Sequence, residues 1–78
     1  MKIEILGMGC PKCKKLYENA QIATKELNIQ ADIVKVEDIQ KIINYGVMAT
    51  PAIAVDGEIK AAGRIPPPDE IKKWISPS

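Results

Sequence analysis

Cys10 and Cys13 are the only cysteines of this 78-residue chain, and they stand together in the tetrapeptide Cys10-Pro11-Lys12-Cys13. The pair falls where a short apolar strand ends and an amphipathic helix begins. A thiol at a helix start faces unsatisfied backbone N–H groups and the positive end of the helix dipole. Both favour the thiolate, which is the form that attacks disulfides and binds soft metals. The spacing therefore points to reactive sulfur chemistry, either thiol–disulfide exchange or two-thiolate metal binding. A permanent staple is disfavoured, because a disulfide across so short a loop constrains the unfolded chain little. A structural zinc site lacks two of its four ligands. The chain has no histidine, which excludes a Cys–His nucleophile.

The elements that must hold this pair are legible from the periodicities. Ile3, Ile5 and Leu6 mark a first strand bounded by Gly7 and Gly9. Cys13, Leu16, Tyr17, Ala20, Ala23 and Leu27 recur at helical spacing, with Pro11 near the first position, where a missing N–H costs nothing. Residues 31–36 read as a second strand, whose Asp32 and Lys35 suit a sheet edge. Asp38 is a candidate N-cap for a second helix with Ile39, Ile42 and Ile43 on one apolar stripe, ended by Gly46 in a left-handed cap. Residues 52–55 and 58–62 flank Asp56-Gly57, the sequence of a two-residue type I′ hairpin turn. Pro66-Pro67-Pro68 forms a stiff connector into a last helix. Asp69 and Glu70 suit its first turn, and Ile71, Trp74 and Ile75 face inward.

The predicted order is β-α-β-α-β-β-α within a single domain over residues 1–78. Two strands joined through a helix should be parallel with a right-handed crossover, and the final hairpin antiparallel. Hydrophobic residues make up 46% of the chain, enough for a core. A formal net charge of +1, with no basic stripe interleaved with aromatics, argues against a nucleic-acid partner. The N-terminal residues lack the apolar run of a signal peptide, and no segment approaches a membrane span, so a cytoplasmic location and no membrane association are expected. In a reducing compartment a cysteine pair is expected to be catalytic or metal-binding.

With these features in this order, the chain resembles the thioredoxin fold over nearly its whole length. The resemblance rests on the C-x-x-C opening the first helix, on Thr50-Pro51 before the third strand, and on the Asp56-Gly57 hairpin. More closely, it resembles the small thioredoxin-like, redox-active disulfide proteins of archaea and bacteria, which carry a similar Gly-x-Gly-Cys-x-x-Cys. The resemblance implies an α/β minimal thioredoxin fold, with a four-stranded mixed sheet flanked by three helices. It also implies a monomeric thiol–disulfide oxidoreductase that needs no cofactor beyond the Cys10–Cys13 pair. Its partners would be protein or small-molecule disulfides and a reductase. Cys10 would be the attacking cysteine and Cys13 the resolving one. Pro51 would follow a cis peptide bond beside them, and the backbone of Thr50 would pair with an extended substrate segment.

Some positions depart from the family pattern. Gly9 stands where full-length thioredoxins usually carry a Trp, and Met8 is expected to supply the apolar rim instead. The Pro-Lys between the cysteines is closer to the glutaredoxin Cys-Pro-x-Cys. Only half of the doubled glycine that glutaredoxins use for glutathione is present, as Ala62-Gly63. Lys12, Lys14 and Lys15 add positive charge around the pair, and Met48 could line a docking groove. Glu4 lies at the offset where thioredoxins carry a buried acid that takes the proton of the second cysteine. Burial statistics of glutamate favour a solvated position instead.

Residues 7–13 also resemble the Gly-Met-x-Cys-x-x-Cys of heavy-metal-associated domains, which hold a soft ion such as Cu(I) through two thiolates. Topology separates the two readings. That family runs β-α-β-β-α-β and ends on a strand, whereas this chain places one strand between its first two helices and closes on a helix.

Overall fold

The structure, a computed structural model, describes residues 1–7, 11–47 and 49–76. The elements are β1 (Lys2–Leu6), α1 (Pro11–Glu26), β2 (Asp32–Val36), α2 (Ile39–Asn44), β3 (Ala52–Val55), β4 (Glu58–Ala62) and α3 (Pro68–Ile75). The strands form one four-stranded mixed sheet in the order β2-β1-β3-β4. β1 pairs with β2 in parallel, with Ile5 opposite Lys35, and with β3 antiparallel, with Ile5 opposite Ile53. The β3–β4 hairpin is antiparallel. This is the α/β architecture expected of a minimal thioredoxin fold.

Alternation along β1 divides the core into two layers. Ile3 and Ile5 point to the face covered by α1 and α3, where they meet Leu16, Ala20, Ile71 and Ile75. Leu6 points to the opposite face, where it meets Val36, Ile42 and Ala52 under α2. Trp74 is half-buried at the margin of the larger layer. The buried Asn19 side chain donates to the Pro66 carbonyl at 3.0 Å, which ties α1 to the connector ahead of α3. Arg64 makes a two-pronged contact with Glu70 at 2.8 and 2.5 Å, anchoring the same connector to α3 from outside.

Local signals account for most boundaries. The Asp38 carboxylate accepts from the Gln40 N–H at 3.0 Å, as an N-cap should. Gly46, at φ +78°, lies just past α2, and the hairpin turn has φ +51° at Asp56 and +87° at Gly57, the signs a type I′ turn needs. One terminator went unread in the sequence. α1 closes with Asn28 at φ +54°, the Ile29 N–H on Thr24 O and the Asn28 N–H on Lys25 O, which is a Schellman motif with asparagine in place of glycine. The pairing register also shifts between Ile53 and Ala54, a bulge that the alternation of residues 52–62 does not announce.

The apolar stripe assigned to α2 needs correction. Ile42 is buried, but Ile39 and Ile43 are 57% and 58% exposed. A helix of six residues lies over the sheet with little more than one face-centred side chain, so its neighbours stay in solvent. Ile42→Ala is expected to cost about 2–5 kcal/mol and Ile43→Ala to stay within about 0.5 kcal/mol, read from urea denaturation. The reverse order would mean that α2 packs through its other face.

Candidate active site

α1 begins at Pro11, which places Cys13 in its first turn with the free backbone N–H groups of the helix start around it. No acidic residue lies in that turn, and Lys12, Lys14 and Lys15 are exposed. Cys13 itself is buried, 7% exposed. Cys10, like Met8, Gly9 and Met48, lies outside the described residues.

Cys13 meets the end of the sheet. A β-carbon placed on Gly7 would lie 2.2 Å from the Cys13 Sγ and 3.9 Å from the Pro51 Cα, so the sulfur and the Pro51 backbone lie against the same point. Pairing explains the convergence. Leu6 sits opposite Ala52, and Ala52 opposite Ala62. The next residues outward, Gly7, Pro51 and Gly63, therefore line up along one end of the sheet. The Gly63 N–H donates to the Pro51 carbonyl at 2.9 Å and holds that loop against the β4 end. The Thr50–Pro51 peptide is cis, as the resemblance implied. Pro51 is buried, and Thr50 is exposed beside it.

Glu4 and Tyr45 form a second polar feature, on the α2 face of β1. The Tyr45 hydroxyl, just past α2, donates to a Glu4 carboxylate oxygen. Glu4 is half-buried and lines a cleft of about 390 Å³ together with Lys2, Lys41, Asn44 and Tyr45. The bonded partner of Glu4 is thus a phenol on the face opposite α1. Sequence reasoning missed Tyr45, because nothing in the pattern of residues 39–46 says which side of α2 meets β1. It also missed Gly7 as more than a strand end, although a glycine there is a usual mark of close backbone approach. Among the described residues no group of three or more His, Cys, Asp or Glu side chains could hold a metal ion.

The hydrogen bond to Glu4, then burial, then the Glu4 charge push the Tyr45 phenol from its ordinary 10.0 up to about 12. The pKa is raised on folding, so the stabilisation is complete below pH 10 and is lost as pH climbs through about 12. Subtracting the phenolate absorbance titration of Tyr45→Phe from that of the wild type should expose this late ionisation. The stability advantage of wild type over the variant should vanish across the same window. A Tyr45 titration near 10.0 would show the bond to Glu4 to be absent in solution.

The chain matches the thioredoxin domain family over residues 1–76. A protein named thioredoxin from Methanothermobacter thermautotrophicus is 46% identical over 76 residues, covering 97% of this chain and 99% of that protein. One of the same name from Methanocaldococcus jannaschii is 48% identical over 73 residues, covering 94% and 84%. A probable thioredoxin from Methanothermobacter marburgensis is 36% identical over 80 residues, covering 97% and 93%.

Proposed function

This chain belongs to the thioredoxin family and is a thiol–disulfide oxidoreductase; from that premise we propose that it reduces partner disulfides through a Cys10–Cys13 dithiol. Thioredoxins act on protein disulfides, are reduced by a reductase and generally need no cofactor. The observation that carries the proposal is the convergence of the α1 start, with Cys13 buried in it, on the Thr50–Pro51 loop at one end of the sheet.

Cys10, three residues ahead of Cys13 in the sequence and directly before Pro11, is the attacking thiolate. Cysteines in such positions have pKa values of roughly 3.5–7.5, against about 8.5 when free. It attacks one sulfur of the substrate disulfide, which releases the other as a thiolate and leaves a mixed disulfide. Cys13 then gives up its proton and attacks the Cys10 sulfur. The bond from Cys10 to the substrate breaks, and the Cys10–Cys13 bond forms. Two electrons have passed to the substrate, which leaves as two thiols once protonated. The burial of Cys13 suits it to the second step, since it meets a sulfur already delivered to Cys10 rather than one in solvent. The exposure of Thr50 suits the docking of an extended substrate segment beside Cys13. A reducing cytoplasm is the setting in which this direction of transfer runs.

The metal-binding alternative is disfavoured by topology. The observed β-α-β-α-β-β-α order, with the hairpin after α2 and a closing helix, is not that of the heavy-metal-associated domains.

Cys10→Ser is expected to abolish reduction of an accessible protein disulfide such as those of insulin. In the single-cysteine variants, the thiol of Cys13→Ser should be alkylated by iodoacetamide faster than that of Cys10→Ser. Equal rates would overturn the assignment of roles. Tight Cu(I) retention against a chelator, with no insulin reduction by the dithiol, would favour the metal reading.

A further inference from the structure

Gly7 follows directly on β1, and its N–H donates to the Val36 carbonyl at 3.0 Å. That bond carries the pairing with the β2 end one residue further, so the sheet holds the backbone at Gly7 in place. The described residues with positive φ are Asn28, Gly46, Asp56, Gly57 and Gly63. Gly7 is not among them, so glycine is not needed here for backbone freedom. It is needed for space. A β-carbon on Gly7 would sit 2.2 Å from the Cys13 Sγ and 3.4 Å from its Cβ. The second distance is ordinary contact, whereas the first is far inside the roughly 3.5–4.0 Å at which non-bonded heavy atoms rest. The sulfur therefore occupies the volume that any side chain at position 7 would fill.

We propose that Gly7 is a positioning residue for the second chemical step: its missing side chain is the seat that fixes the Cys13 sulfur in the one side-chain orientation from which it attacks the mixed disulfide. This rests on the reading of Cys13 as the resolving thiol. Two features make the seat consequential. Cys13 is fixed in the first turn of α1, so its sulfur can leave the seat only by rotating about one bond into another staggered well, one of which is rare in helices. The Pro51 backbone flanks the same point and is itself held by Gly63, so sideways escape is obstructed. Attack by one sulfur on another needs close alignment, and a displacement of about 1 Å can slow such a step by about a hundred-fold.

The test uses the reduced full chain and a substoichiometric aromatic disulfide, 5,5′-dithiobis(2-nitrobenzoate). Attack by Cys10 releases one coloured thiolate, and attack by Cys13 on the mixed disulfide releases the second. Two phases in one trace thus report the two steps. In Gly7→Ala the ratio of the second rate to the first should fall by about ten-fold or more. An unchanged ratio would overturn the proposal, because a general loosening of the site slows both phases together. A double-mutant cycle on the thermal midpoint reads the contact itself. The loss caused by Gly7→Ala should shrink by at least about half when Cys13→Ala removes the sulfur. Equal losses in both backgrounds would overturn the seat. Should Gly7→Ala fail to fold alone, rescue by Cys13→Ala supports the seat and failure of rescue overturns it. A wild-type protein that releases no second thiolate sinks the dithiol reading, and with it the role of the seat, while the cycle still reports whether the contact exists.

Discussion

The structure depends on how closely α1 lies against β1 and β3. Leu16, Ala20 and Ala23 press onto Ile3, Ile5 and Ile53, and every one of these six is at most 2% exposed. Two alanines on the contacting stripe let the helix sit low on the sheet, and interiors packed at crystal-like density leave no room for it to tilt away. Because the helix is low, its first turn arrives at the end of β1 with no gap, and the Cys13 sulfur comes to rest where Gly7 has no side chain. The meeting of Cys13, Gly7 and Pro51 is thus a consequence of helix–sheet packing some two turns away.

The same economy runs through the rest of the core. The chain has no phenylalanine and a single tryptophan. Its buried positions are filled by isoleucine, leucine and valine together with alanines on β3 and β4. Small residues on these two strands suit a thin molecule, with extents of 32 × 23 × 17 Å. A chain of this size has little area to spare, so tethers between elements matter more than in a larger domain. The Asn19–Pro66 bond and the Asp56 side chain accepting from the Lys2 N–H at 2.9 Å join segments distant in sequence, and the Arg64–Glu70 pair pins the connector to α3.

The two faces of the sheet do different work. The α1–α3 face is apolar and carries the helix that bears Cys13. The α2 face is shallower, with one buried helical residue, Ile42, and with Glu4 half-buried beneath Tyr45. A carboxylate can stay on a central strand there because a phenol hydroxyl satisfies it and the adjoining cleft remains open to water. The family resemblance raises a proton-acceptor role for an acid at this offset. In this chain its bonded partner belongs to the α2 side, and the geometry ties Glu4 to the stability of that layer.

Much of this protein was written in local pattern. The order of elements, the helix opening at the C-x-x-C, the Asp38 cap, the Asp56-Gly57 turn and the proline-led last helix each depend on a few neighbouring residues whose backbone preferences act at short range. So did the family, since Cys10-Pro11-Lys12-Cys13, Thr50-Pro51 and the hairpin stand in a telling order. What the tertiary structure alone decided was which atoms meet across the chain: the Cys13 sulfur at Gly7, the Pro51 loop beside it, Tyr45 on Glu4, and Ile42 rather than Ile39 or Ile43 beneath α2. Those contacts follow from strand register and from the height at which helices lie on the sheet. Both are set by the whole core packing at once, and no short stretch of sequence encodes them.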